Sequence, residues 1–502
     1  INNTDTNSPP FVPPVSVAGV TIPAPSGRDQ QNFPGTAYQR QQSISLSHTH
    51  VFSPALLLQL RGQLARYVTD SESGNVGINA NTAFGGPANV NTSTPGTTGL
   101  ALLQFQNGGY ANLGDAFALP TAYWDTNYQY GGTFTWVKGR HSIRFGAALL
   151  RRDWSTFQVL FKGNFLVNSV QTNSTGTGAG TGGNSFASLL TGYYNQTTRN
   201  MALVAPQYRD WEMGEFFQDD WRVTRRLTLN IGLRYDIFTP IKEKHNALSN
   251  FDPTNAAALA GGQVQVAGAG GVSDTVNIAT QYRDIQPRVG FAATLGHGMV
   301  LRGGFGTSYW PNNVASPANL KNAPLVATYT INQTPAIPTL RLSGSVPPPT
   351  PNPTCLSAAC GAPAGSNFTV AAGTQVDYHY TLAYMVNMML EKEFGANVLS
   401  VGYVGEPVRH LGRTVPNMNT NLPPLGPGGC GITTPVAFPS PCQPYFNQLP
   451  FLNSVQLLET NGISNYNALQ VQFQRRYSAG LTFAANYTFS QALSDVGGPG
   501  GA

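Results

Sequence analysis

Three groups of side chains in this sequence have the types and spacing to do chemistry. His48 and His50 are one residue apart, which puts both imidazoles on one face of an extended strand as two ligands for a metal ion. No third ligand is near in sequence, so the pair is expected to line a wet lumen or an interface, and no metal site is assigned. Glu212, Glu215, Asp219 and Asp220 form the acidic cluster worth testing for acid–base work. Glycoside hydrolysis needs two carboxylates facing one cleft. These alternate faces of one strand beside Arg222, Arg225 and Arg226, so salt-bridging within a barrel wall is the expected role. The run Gly178-Ala179-Gly180-Thr181-Gly182-Gly183 has the glycine density of a phosphate loop. It lacks a following Lys-Ser/Thr and a strand-to-helix setting, and reads as a flexible loop. No Ser or Cys lies in a nucleophile elbow. The chain is therefore not expected to be an enzyme, and no catalytic residue or cofactor is assigned.

Cys355, Cys360, Cys430 and Cys442 all lie in Pro- and Gly-rich stretches. They lack the CxxC-type spacing and the neighbouring His that zinc ligation requires. Among three pairings, Cys355–Cys360 with Cys430–Cys442 is the simplest, and such loop disulfides imply an oxidising compartment outside the cytoplasm. Loops with Tyr, Trp and Asn, such as Tyr309-Trp310-Pro311-Asn312-Asn313, have the composition to contact sugars or siderophores. So does any surface loop, so no ligand-binding residue is assigned.

The elements that would position these groups follow from composition and periodicity. Charged residues make up 10% of the 502, where a soluble globular protein carries about 25%. Hydrophobic residues are 41%, so the missing charge is replaced by Asn, Gln, Ser, Thr, Gly and Tyr rather than by apolar mass. Net charge is +5, spread along the chain without the basic cluster of a nucleic-acid surface. No run reaches the ~18 apolar residues of a membrane-spanning helix. The first residues form no signal peptide and the last stop in a Gly-rich stretch, so the chain is expected to be an internal piece of a longer precursor.

The recurring unit is a pair of period-two runs joined by a short polar turn. Leu227, Leu229, Ile231, Leu233, Tyr235 and Ile237 alternate with Thr228, Asn230, Gly232, Arg234 and Asp236. Such strict alternation sets one face against an apolar medium and the other against a polar one, and only a strand does this. Leu469, Val471 and Phe473 lead across Tyr477-Ser478-Ala479-Gly480 into Leu481, Phe483, Ala485, Tyr487 and Phe489 with the same period. Further hairpins read as Ser43–Phe52 with Leu56–Asp70, Tyr123–Val137 with His141–Trp154, Pro287–Leu295 with Val300–Trp310, and Tyr378–Glu393 with Val398–His410. With the strand before Leu227 these make six hairpins, or twelve strands. Many runs exceed the ~9–11 residues that cross a bilayer as a tilted strand. The connections Ser71–Thr121, Asn168–Asn184, Asn332–Asn367 and Asn417–Pro450 are long and polar. Short turns at one end and long loops at the other predict an all-β fold, a large antiparallel transmembrane β-barrel with extracellular loops.

Trp211 and Trp221 are ten residues apart, roughly 33 Å along a strand and about 25 Å in height at a ~40° tilt, the separation of two aromatic girdles. The same parity puts Glu215 and Asp219 on the Trp face. A bulge must shift the register there, or the strand must lie partly above the membrane.

Several segments resemble the barrel domains of Oar-like TonB-dependent receptors, outer-membrane proteins that carry a carboxypeptidase-regulatory-like domain. The most specific is Phe216-Phe217-Gln218-Asp219-Asp220-Trp221-Arg222-Val223-Thr224 running into Leu227 to Asp236, followed by Pro287-Arg288-Val289-Gly290-Phe291. Val300 to Gly306, Ser47 to Pro54 and Tyr466 to Val471 are similar as well. The resemblance implies a 22-stranded type of barrel in the bacterial outer membrane, enclosing a plug and driven by the TonB complex. It implies a receptor that binds a large or scarce ligand, such as a siderophore, oligosaccharide or peptide, and passes it inward. The strands beyond twelve are expected in the intact protein or within the long connections. The organisation expected is a Pro-rich irregular lead-in (1–42), the partial barrel (43–494) and a Gly-rich truncated loop (495–502). The alternative is a structural or adhesive bacterial surface protein without transport activity. A secreted carbohydrate-active enzyme would need a paired-carboxylate cleft. The partners implied are outer-membrane lipid, TonB and an unknown ligand at the loops, with no nucleic acid.

Overall fold

Alternating side chains force the backbone into long ribbons, and the ribbons pair in the order in which they are made. The computed structural model describes residues 2–9, 13–25, 34–86, 98–106, 109–116, 119–158, 163–175, 181–202, 205–255, 264–311, 320, 326–333, 341–344, 368–415 and 452–496. Six antiparallel hairpins follow one another: Gly35–Ser53 with Leu56–Ser73, Thr121–Lys138 with His141–Gln158, Gln207–Arg222 with Leu227–Phe238, Asp284–Gly296 with Met299–Trp310, Thr381–Phe394 with Asn397–Val415, and Leu452–Ser478 with Leu481–Ser494. Each also pairs with the next, so these twelve strands form one up-and-down meander; Asn2–Ser8, Lys242–Glu243 and Phe368–Thr374 bring the sheet to 15 strands, the last of them parallel to Leu452–Ser478. Among the described residues the sheet is open, with Asn2–Ser8 at one end and, at the other, Phe368–Thr374 and Leu481–Ser494 on the two halves of Leu452–Ser478.

All six hairpins expected from periodicity are present. Several strands run longer than the alternation revealed, because their outer ends carry polar residues on both faces. Leu452–Ser478 spans 27 residues where only its second half alternates. Gly35–Ser53 begins eight residues before Ser43, and its first seven residues pair with Asn2–Ser8. The lead-in over 1–42 therefore holds strands, including a small hairpin of Val15–Val17 with Val20–Ile22, and its Ile22 is buried.

The turns at one end are short and use backbone suited to tight reversal. Ala479 and Gly480 both have positive φ (53° and 80°), the pattern of a two-residue turn whose twist matches the strands it joins. At the opposite end, the connection Ser71–Thr121, expected to be irregular, contributes a strand to a folded unit whose other parts lie in segments not assigned to any element by periodicity. Leu102–Phe105, Asn164–Val167, Gln196–Ala202 and Val326–Asn332 form a four-stranded sheet. A short helix, Ser185–Leu190, starts where the Asn184 side chain accepts from the backbone N–H groups of Phe186 and Ala187. Ala101, Phe165, Val167 and Tyr194 make a small apolar core under this sheet. A second core at the same end gathers Tyr208, Phe238, Leu248, Val276, Leu320 and Tyr380. Local polarity hid these units, since each buries only a few apolar residues drawn from distant segments. The remaining long connections lie largely outside the described residues, as do Cys355, Cys360, Cys430 and Cys442.

Candidate functional site

The sheet has two faces of opposite chemistry, and register shows how each is built. On one face Leu58, Phe134, Phe145, Phe217, Leu233 and Pro287 stand directly opposite one another across six strands. One residue along, on the other face, the same strands present Gln59, Thr133, Gly146, Phe216, Arg234 and Gln286. The apolar face continues through Ile231, Val289 and Phe305, and through Leu229, Phe291, Gly303, Met388, Tyr403, Leu469 and Phe489. Leu46 is 75% exposed and Phe489 67%. A continuous apolar belt of this extent has no stable contact with water and is the outer, lipid-facing side of a membrane wall.

The polar face is laced with charge. Arg152 lies opposite Asp210, donating Nε to Oδ1 at 3.0 Å and Nη2 to Oδ2 at 2.9 Å, and Nη2 also reaches Glu212 Oε1 at 2.5 Å. Two strands on, Arg234 holds Asp236 through Nε at 2.8 Å and Nη2 at 2.6 Å. Gln286 donates to the same carboxylate. The strand between them has Gly214 at this point, where a Cβ would land on Asp236 Oδ1 and Arg234 Nη2, so the glycine makes room for the ion pair. Lower on the wall Asp220 accepts from Asn230, Gln218 and Arg144. A cavity of about 390 Å³ opens beside the upper pairs, lined by Arg61, Gln129, Glu212, Gly214, Arg234 and Asp236 among others. These carboxylates are consumed by guanidinium and amide donors in the wall. They offer ion-pair and hydrogen-bonding groups along a passage, not a free acid–base pair.

The loop end completes the site. On the apolar side of that end, Arg209 and Arg151 both contact Asp153 (3.1 and 2.8 Å). In the buried core above the wall, Tyr380 Oη donates to Phe238 O at 2.7 Å. Burial, and behind it the carboxylate of Asp284, pushes this phenol above its ordinary range, so it stays a donor at any physiological pH. Asp115 ties three segments together by accepting from Ser73 Oγ (2.9 Å), Asn75 Nδ2 (2.6 Å) and Leu100 N (3.2 Å). Tyr309 packs on the larger core, while Trp310 is 61% exposed at the end of its strand.

The residues singled out by sequence divide between the faces. Glu212 and Asp220 lie on the polar face in the ion pairs just described. Glu215 and Asp219 lie on the apolar face, and the register from Gln207 to Trp221 runs without a bulge against its neighbour, so no shift rescues them. Asp219 is instead met by His141 Nδ1 at 2.7 Å, with the imidazole stacked on Trp221. His48 and His50 share a face, as their spacing required, and it is the apolar one, with Ile44 and Leu46. The rings are 6.1 Å apart and His50 meets Phe52 edge-on, in the aromatic band near the short turns. No group of three metal-ligating side chains occurs among the described residues. Gly178 to Gly180 lie outside them. Sequence reasoning missed Arg152, whose partners come from another strand, and Arg234, whose partner Asp236 follows two residues on along its own strand; the signals available were an Arg at a polar-face position and, for Arg234, an Asp sharing that face.

Of the two Trp residues of the expected girdles, Trp211 carries a cation beside its ring and Trp221 a stacked imidazole. Trp211 and Tyr128 flank Arg151 in direct register, at 5.3 and 5.7 Å from ring centroid to guanidinium carbon. At the short-turn end Lys138 Nζ sits 5.0 Å over Trp136, near His141 on Trp221.

A wall of up-and-down strands with a greasy outside, a charged inside and aromatic bands at both margins defines a transmembrane β-barrel of the bacterial outer membrane. The chain belongs to the outer membrane beta-barrel domain family, whose profile matches residues 3–502. No curated relative matches it. Among solved structures it is similar to the outer membrane transporter YddB from Escherichia coli, at 10% identity and a TM-score of 0.50, over 92% of this chain and 43% of that one. It also matches the ferric-catecholate import receptor Fiu from E. coli K12 (9% identity, TM-score 0.40, 95% and 50% covered) and the ferric yersiniabactin uptake receptor FyuA from Yersinia pestis (6%, 0.40, 93% and 44%). The chain thus spans half or less of the length of these proteins.

Proposed function

We propose that this chain forms a large part of the barrel of a TonB-dependent receptor of the Oar-like type, a transporter and not an enzyme. Its ligand, a siderophore, oligosaccharide or peptide, is captured at the folded loop end and passes along the polar face as a plug domain shifts under the pull of TonB. The observation that carries this reading is the succession of ion pairs on the inner face: Arg152 with Asp210 and Glu212, Arg234 with Asp236, and Arg144 with Asp220. A wall made only to display loops gains nothing from ion pairs along its inside, whereas a face that contacts a polar plug or a solvated ligand needs them. The residue matches to Oar-like barrels and the likeness to YddB support the same reading.

The test compares cells with and without the intact gene, supplied with ferric siderophores, oligosaccharides or peptides as sole iron or carbon source. Growth or uptake that needs both the gene and the proton-motive force supports transport. Adhesion lost with the gene, with uptake of all three classes unchanged, would establish the surface-display alternative.

A further inference from the structure

The six short turns bring together charge that is scattered along the sequence. Taking each turn with four residues of either strand, 50–59, 135–144, 219–230, 293–302, 391–400 and 475–484 hold ten Lys and Arg and four carboxylates, Asp219, Asp220, Glu391 and Glu393. The chain's net charge of +5 is therefore more than accounted for at this one rim, and the rest of the protein is slightly acidic. Three of the ten pair with these carboxylates: Arg476 with Glu393 at 3.0 Å, Arg302 with Glu391 at 3.3 Å and Arg144 with Asp220 at 3.4 Å. Arg140 donates to the carbonyl of Val223 and Lys392 to that of His297, which fixes the turns but leaves the charges uncompensated. The guanidinium groups of Arg222, Arg225 and Arg226 have no partner among the described residues, and all three residues are exposed.

The rim also has the geometry of a bilayer boundary. Trp136, Phe134, Phe145 and Trp221 lie on the lipid face just above the basic turns, and Phe394 and Phe483 continue the band. Aromatic rings on this face settle at the level where acyl chains meet headgroups. Cations one turn further out then lie at the level of the lipid phosphates, where each basic group is worth several-fold in affinity for an anionic lipid.

We propose that the short-turn rim is a binding collar for anionic phospholipid headgroups of the leaflet it faces, with Lys138, Arg225 and Arg226 as its principal contacts. The proposal rests on the membrane position of the wall and is independent of any transported ligand.

The test uses the full chain reconstituted in phosphatidylcholine vesicles to which brominated phosphatidylglycerol or brominated phosphatidylcholine is added, reading tryptophan quenching. Expected is a preference of about fivefold for phosphatidylglycerol at low salt, the effect of roughly one basic group at the surface, falling towards unity at ~0.5 M salt. K138Q/R225Q/R226Q is expected to lose the preference while keeping heat-modifiable migration on gels. K244Q, at the loop end, keeps it. Equal quenching by the two lipids at low salt, or a preference that survives in the folded triple variant, overturns the collar. Quenching by neither lipid removes the wall from the bilayer and overturns the membrane position itself, which separates the two failures.

Discussion

Replacing Arg152 with Met removes the one cation that faces both Asp210 and Glu212. Their side chains are only 12% and 24% exposed, so the variant leaves two carboxylates close together in a poorly hydrated wall. Breaking a fully buried ion pair from one side costs about 3–5 kcal/mol, and an exposed pair is worth about 0–1. With Arg152 itself 33% exposed, the expected loss is intermediate, about 2 kcal/mol, or roughly a thirtyfold shift in the folded-to-unfolded ratio. The assay is urea titration in lipid vesicles, with folded and unfolded fractions separated by their gel migration. Neutralising the carboxylates as well, in R152M/D210N/E212Q, is expected to recover most of the loss, because the cost arises from uncompensated charge rather than from missing volume. An R152M protein as stable as the parent would refute the reasoning. So would a triple variant no better than R152M.

The two faces respond oppositely to the same change: L233R on the apolar face is expected to cost about 2–4 kcal/mol of membrane stability, and Q218R on the polar face under about 1, in the same urea assay. D115A removes the acceptor for Ser73, Asn75 and Leu100 and is expected to expose residues 98–116 to limited proteolysis while the strands stay resistant, as read by mass spectrometry of the fragments. Non-reducing mass spectrometry is expected to find Cys430 linked to Cys442 and Cys355 to Cys360; four alkylatable thiols in native protein would contradict both links.

The wall was legible in the sequence because the side-chain period of a strand is two. Leu227 to Ile237 had to form a ribbon with one greasy side whatever surrounded it, and six such pairs joined by short turns had to form a meander. The same period fixed that His48 and His50 share a face, and that Glu212 and Glu215 do not. The folded loop caps were not legible, since Phe165, Tyr194 and Leu248 are isolated apolar residues in polar stretches and become a core only when distant segments meet.

What the chain alone determined is therefore everything carried by neighbours two residues apart: strand, face and hairpin. Tertiary structure decided what depends on neighbours across strands. It gave Arg152 to Asp210, Gln286 to Asp236 and His141 to Asp219, pairs separated by 58, 50 and 78 residues. It also drew basic turns that look evenly spread along the sequence onto one rim, because every hairpin of an up-and-down sheet reverses at the same edge. Charge is additive in space and not in sequence, so only the folded wall reveals where it accumulates.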